Sequence, residues 1–467
     1  MSSQMQSITV TMNEKPKELK ATRMAFDNRM KILEAVTDAD ETFYLFFYKE
    51  HFLLAKELKR KENSQLSRCF QNGIVLTAPH PLIQTYVDEH KTFPLKTVKL
   101  TFRNMMKQYS PQEVSLILSY FDTFIPKEKI TDIFKKFFID YRRNGQFNHA
   151  YQILMVLLSF DKENKWGLDM ANQIHFQKYK LLYEVKGKEL FEKDPLYGEM
   201  LLFGKRKEQA SFSKLQSLHA SKGRWVDQLV LYIDHFKKGS MKEEAYYDSF
   251  LKLLSAHYSS EERALLLWES YKGAVKDTRL LQELLEAFLN QARYEEAINV
   301  LCEQTPEDLS SLQKKQLAEL LQKPSLDYES INLENLQSFL INENSMENLE
   351  KILRSVIPTL LGIRELAAVH LWLKPIITKH KKLPILKIFQ TMMDYQDDPE
   401  QQFSLGKLYH QFKLYNQAIE CFSWEMELRP DDPDPVQWMM KTYKELGMIE
   451  ESKSYMSLYT SMQKASR

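Results

Sequence analysis

One pattern recurs along this chain: a small or polar residue with a hydrophobic residue three places before it and another four places after it. The clear copies are Phe147/Ala150/Leu154, Tyr294/Ala297/Leu301 and Tyr415/Ala418/Phe422, and the weaker ones are Trp225/Gln228/Tyr232 and Ile449/Ser452/Met456. Thirteen places before the central residue stand Phe137, Leu284, Leu405, Leu215 and Met439; nine places before it stand Tyr141, Phe288, Tyr409, His219 and Tyr443. Positions four apart share one face of a helix. The pattern therefore predicts a helical hairpin, with the small residue where the second helix approaches the first. A tight connection lies between, often carrying glycine, as at Asn144-Gly145-Gln146, Lys222-Gly223-Arg224 and Leu446-Gly447-Met448. One such hairpin leaves an apolar face open, so copies must stack.

Composition agrees with a helical reading. The 467 residues include only 12 Gly and 16 Pro, few for folds that depend on tight turns or phosphate loops. At this length two or three domains or an elongated array is expected. Lys and Arg total 64 against 63 acidic residues, so the basic excess of a duplex-binding protein is missing and nucleic acid is not expected as a partner. Basic runs such as Lys59-Arg60-Lys61, Lys205-Arg206-Lys207 and Lys379-His380-Lys381-Lys382 read as solvated helix faces, with a partner-binding patch as the alternative. Cys69, Cys302 and Cys421 form no CxxC pair, which points to a reducing cytoplasmic compartment. The first 20 residues carry no basic-then-apolar leader. The apolar stretch Val356–Ile377 is interrupted by Arg364, Glu365, His370 and Lys374, so no membrane insertion is expected.

Residues 399–432 resemble the tetratricopeptide repeat in Leu405, Gly406, Tyr409, Ala418, Phe422 and Pro430. The usual Trp is Gln402 and the second usual Ala is Glu425. A further copy over 433–463 keeps Tyr443 and the 34-residue step from Ala418 to Ser452, with Met440 for the glycine and Met456 for the Phe. Upstream, Gln228, Ala264 and Ala297 are 36 and 33 residues apart, one degenerate repeat each. The 121 residues from Ala297 to Ala418 are not a whole number of repeats, so an irregular segment must intervene. The resulting expectation is an all-α protein, an irregular α-solenoid with an N-terminal helical bundle. Its parts are a flexible tail over 1–20, a helical region over 21–128, degenerate repeats over 129–322, an irregular connection over 323–345 and C-terminal repeats over 346–467. Met24, Met30, Leu33 and Val36 are read at near-helical spacing, and the run Phe43, Tyr44, Phe46, Phe47, Tyr48 and Phe52 as bundle core or an exposed docking face. Ser110-Pro111-Gln112-Glu113 reads as an N-cap with Pro at the first helical position.

Patterns that carry chemistry are weak. Gly198 and Gly204-Lys205-Arg206 have five residues between the glycines instead of four, and Arg where a magnesium-binding hydroxyl should stand. No GxGxxG, GxSxG or HExxH occurs. His370 and His380 are separated by Lys374 and a helix break expected at Pro375, which disfavours a shared metal; no metal and no cofactor is expected. The pairs Glu243-Glu244, Glu261-Glu262 and Glu295-Glu296 read as first turns of helices.

The resemblance implies a concave groove lined by the first helix of each repeat. Its exposed positions are Phe403, Lys407 and His410, then Gln437, Lys441 and Lys444. Three lysines along one groove suit an acidic segment or a terminal carboxylate, and plain solvated surface is the alternative. Lys407 and Lys441 stand where the family's carboxylate clamp has asparagines, so that clamp is not implied. The expected function is a non-enzymatic scaffold that binds a protein or peptide. The second reading is a peptide-responsive regulator whose N-terminal bundle acts on a target protein.

Overall fold

The computed structural model describes residues 7–12, 15–58, 62–88, 92–237, 244–273, 278–323 and 326–465. The chain divides into two compact units, Met1–Leu280 and Leu281–Arg467. Residues 1–6 of the expected tail, Lys59-Arg60-Lys61, Glu243, Pro324 and Ser325 lie outside the described residues.

The first unit corrects the all-α expectation. It opens with a seven-stranded sheet instead of a tail and a helical bundle. The strands are β1 (Ser7–Met12), β2 (Lys15–Asp27), β3 (Met30–Val36), β4 (Thr42–Tyr48), β5 (His51–Glu57), β6 (Ile74–Thr77) and β7 (Phe93–Pro94). Their order is β5-β4-β3-β2-β1-β7, and β6 pairs with the second half of β2. All described pairings are antiparallel except β1 with β7.

The aromatic run explains the misreading. On one face of β4, Phe47 meets Tyr86 at 5.3 Å and Phe93 at 6.0 Å, while Phe52 of β5 meets Phe93 of β7 at 5.0 Å. Rings thus bring the two edges of the sheet together. On the other face, Tyr44, Phe46 and Tyr48 pack on Phe70 of the helix Gln65–Asn72, Phe121 in the turn after Pro111–Ser119, and Tyr109 at the end of Val98–Gln108. A strand buried on both faces shows no polar alternation, and its apolar run cannot be told from a buried helix by period. Around the sheet lie the helices Gln65–Asn72, Pro81–Asp88, Val98–Gln108 and Pro111–Ser119. The last begins at the expected N-cap, Ser110, with Pro111 in its first turn, and Ser110 and Glu113 bond reciprocally as a capping box.

The five copies read from the sequence are hairpins with the same connection. Their helix pairs are Lys127–Arg143 with Phe147–Phe160, Gln209–Ser221 with Trp225–Phe236, Thr278–Asn290 with Tyr294–Cys302, Gln402–Gln411 with Tyr415–Leu428, and Pro433–Glu445 with Ile449–Ala465. Five places before each central residue the backbone turns left-handed, at Gly145, Gly223, Ala292, Lys413 and Gly447, with φ between 55° and 76°. The next residue's N–H donates to the carbonyl five back: Gln146 to Tyr141, Arg224 to His219, Arg293 to Phe288, Leu414 to Tyr409 and Met448 to Tyr443, at 2.9 to 3.0 Å. This is a Schellman closure of the first helix. Ala150, Ala297 and Ala418 are fully buried where the helices meet. Where the centre is polar its side chain bonds across the hairpin: Ser452 Oγ donates to the Met440 carbonyl at 3.0 Å, and Gln228 Nε2 donates to the Gln216 carbonyl at 3.5 Å.

In the first unit the second hairpin is bound to the sheet by buried ions. Arg29, in the β2–β3 turn, donates through Nη2 to Glu199 at 2.7 Å. Arg224 also donates to Glu199 and, through Nε, to Asp227 at 2.7 Å, while Lys31 of β3 pairs with Asp227 at 2.9 Å. Burial alone would raise the Glu199 carboxyl, but His219 and the two guanidiniums hold it far below the usual carboxylate range. Burial likewise pushes the fully enclosed Lys31 ammonium down, against the pull of Asp227.

In the second unit, 323–345 contains the helix Leu333–Asn342 within the stretch expected to be irregular. The helices Met346–Ile363, Leu366–Lys379 and Pro384–Gln396 then lead to the last two hairpins. Pro375 lies inside the helix Leu366–Lys379, contrary to the expected break. His370 stacks on Phe389 at 6.2 Å, and His380 bonds the Ile341 carbonyl at 3.1 Å.

Candidate functional site

The groove positions read from the sequence lie on the last two hairpins. Gly406 lets the helices close: a Cβ there would fall 2.6 Å from the Phe422 ring and 3.0 Å from the Cys421 Cβ. Phe422 is fully buried and contacts Phe403 at 5.8 Å and Trp438 at 5.9 Å. Leu405 and Ala418 are buried beside it, and burial pushes the Tyr409 hydroxyl up to about 12. Pro430 is exposed in the link to the helix Pro433–Glu445, which Asp432 caps.

Trp438, which sequence reasoning passed over, is the centre of the arrangement. Lys407 Nζ stands 3.8 Å from the Phe403 ring centroid and 5.7 Å from that of Trp438, and Lys441 Nζ stands 4.6 Å from Trp438. The His410 ring is 5.2 Å from Trp438 and 5.3 Å from Tyr415. Three of the six expected positions, Lys407, His410 and Lys441, therefore meet around one indole, and Phe403 joins them through Lys407 and Phe422. Gln437 is half-buried and Lys444 exposed, and no described contact joins either to the cluster. The signal for Trp438 was its place: it follows Gln437 and precedes Lys441 by three residues, so it shares a helix face with that lysine.

Electrostatics give the face a steady positive character. Each ammonium is drawn to the ring quadrupole, an attraction of about 0.5–1 kcal/mol at exposed sites. Burial and then Lys441 lower the His410 pKa, against Glu445, so the imidazole is neutral at pH 7. Its Nε2 is buried without a hydrogen-bond partner. A cleft of about 470 Å³ runs along the same hairpin, lined by Gln402, Tyr409, Glu420, Cys421 and Trp424, whose indole is half-exposed.

The other sequence candidates take structural roles. Gly198 to Gly204 lie in the helix Pro195–Gly204. Glu261, Glu262, Glu295 and Glu296 occupy first turns as expected, and Glu244 begins the helix Glu244–His257. Among the described residues no helix is long and apolar enough to cross a membrane.

Comparison with known proteins adds little. No family model matches the chain, and no curated protein matches it. Among solved structures, a chain of the structure of Naa15/Naa10 bound to HypK-THB aligns over 82% of this chain and 62% of its own length, at 14% identity and a TM-score of 0.18. An overlap of that quality carries no inference about activity or partners.

Proposed function

We propose that this chain is a non-enzymatic binding scaffold whose last two hairpins hold an acidic peptide segment across the face centred on Trp438. The observation that carries this is the pair of ammonium groups, Lys407 and Lys441, held on the rings of Phe403 and Trp438. Rings restrain the long side chains, so less rotamer entropy is lost when a carboxylate pairs with them. Trp438 and Phe403 add apolar area for the stems of the acidic residues. The three buried free thiols suit a reducing cytoplasm. The regulator reading loses the helical bundle it assigned as effector, since β1–β7 stand in its place.

Fluorescence polarisation of a labelled glutamate-rich peptide, against its glutamine counterpart, tests the proposal on the full chain. Reversing Lys407 and Lys441 to Glu should abolish binding of the acidic peptide. Undiminished affinity in that variant would remove the groove assignment.

A further inference from the structure

The cleft of about 470 Å³ on the fourth hairpin carries the opposite sign from the Trp438 face. Asp397 and Glu420 line it, and no lysine, arginine or histidine does. Both carboxylates are exposed, and among the described residues neither has a basic partner. Asp397 is the C-cap of the helix Pro384–Gln396, where the negative end of the helix dipole adds to its charge. The Glu420 charge is felt inside the cleft: burial first, and then Glu420, push the Cys421 thiol up to about 12.

Trp424 supplies an accessible aromatic wall. It is 52% exposed, and Leu428, four residues further along the same helix, is 50% exposed. Gln417, Glu420, Trp424 and Leu428 follow one another at three- and four-residue steps in the helix Tyr415–Leu428, so carboxylate and indole share a face. Trp438 on the next helix holds the ammonium groups of Lys407 and Lys441, whereas among the described residues no cation stands over Trp424. Tryptophan is the residue most enriched where binding energy concentrates. The cleft has room because Gln402 takes the place of the repeat's usual Trp. Its side chain is employed in the wall itself. Nε2 donates to the carbonyls of Tyr395, Gln396 and Asp398 at 3.1 to 3.3 Å, and Oε1 accepts from the Cys421 thiol at 3.6 Å. Gln402 therefore leaves the two carboxylates to a ligand.

We propose that this cleft docks an arginine side chain carried by a partner peptide, its guanidinium laid on the Trp424 indole and paired with Glu420, with Asp397 adding to the attraction. A guanidinium stacks on an indole and presents paired donors to a carboxylate; an ammonium is a point charge that does neither as well. Apolar residues beside the arginine would cover Leu428. The site does not depend on the acidic peptide proposed for the Trp438 face, since the two ligands carry opposite charge.

Fluorescence polarisation of the full chain with a labelled peptide holding one arginine between leucines tests this, against peptides with citrulline or lysine in its place. The arginine peptide should bind saturably. Citrulline, its neutral isostere, should bind roughly tenfold or more weaker, and lysine severalfold weaker. This comparison uses the unaltered chain, so it stands whatever the variants do. Trp424→Ala, and Asp397→Asn together with Glu420→Gln, change only exposed side chains and should each weaken the arginine peptide roughly tenfold. Lys407→Gln with Lys441→Gln should leave its affinity unchanged, which separates this cleft from the Trp438 face. No saturable binding, or citrulline or lysine bound as tightly as arginine, would overturn the proposal. So would full affinity in Trp424→Ala or in the double carboxylate variant, or loss of binding in the double lysine variant.

Discussion

Lys413 and Gly447 occupy the same place in consecutive hairpins, five residues before Ala418 and Ser452, and both have left-handed backbone, with φ of 61° and 76°. The two positions separate backbone from packing. A Cβ built on Gly447 meets nothing within 4 Å, so Gly447→Ala costs only what the left-handed conformation costs an L-residue. That is about 1–2 kcal/mol in the folded chain, offset by about 0.4–1 kcal/mol from the stiffer unfolded chain. The net expectation is a loss of about 1 kcal/mol for Gly447→Ala and a gain of somewhat under 1 kcal/mol for Lys413→Gly. Native-state hydrogen exchange read by mass spectrometry over 402–428 and 433–465 reports each hairpin separately, which a single melting curve would not. Gly447→Ala without effect, together with Lys413→Gly destabilising, would refute the claim that one Schellman closure builds both connections.

Other expectations follow from the same geometry. Glu199→Gln leaves Arg29 and Arg224 buried beside a neutral amide, so the first unit should lose about 3–5 kcal/mol, seen as faster exchange in Met30–Val36 and Trp225–Phe236. Gly406→Ala forces the Phe422 ring and Cys421 apart; overpacking of about 1–3 kcal/mol should outweigh the helix propensity gained over glycine, about 1 kcal/mol. Burial opposes ionisation of Glu269, but the His80 and Lys237 hydrogen bonds lower its pKa from 4.5 to about 2. A depressed carboxylate contributes stability that is present above the unfolded pKa and lost as pH falls through the folded one. The stability gap between the unaltered chain and Glu269→Gln, on the order of 3 kcal/mol at neutral pH, should therefore shrink between pH 4.5 and about 2, as urea denaturation at each pH will show.

The hairpins were legible because their requirements are local. A small residue at the crossing and apolar residues four apart specify one geometry, and Ala150, Ala297 and Ala418 stand where the pattern put them. Even copies without the turn glycine conform, because Ala292 and Lys413 accept the left-handed strain that the closure imposes. The sheet was not legible for the opposite reason. Phe43 to Tyr48 are buried on both faces, and what tells β4 from a helix is its pairing with β3 and β5, a relation that period does not carry. Turn residues between the runs were the available signal: Asn28, Asp40 and Lys49 all have positive φ, at intervals that suit a meander. Of the candidate site, the family resemblance implied the lysines but not their anchor. Trp438 matters through contacts with Phe422 and His410 of the neighbouring hairpin.

The central claim is that an acidic segment lies on the face around Trp438, and hydrogen exchange of the full chain with a glutamate-rich peptide tests it most directly. Protection should appear in Gln402–Gln411 and Pro433–Glu445, the helices that carry Lys407 and Lys441, and should vanish in Trp438→Ala. Protection confined to other helices, or unchanged in Trp438→Ala, would contradict it.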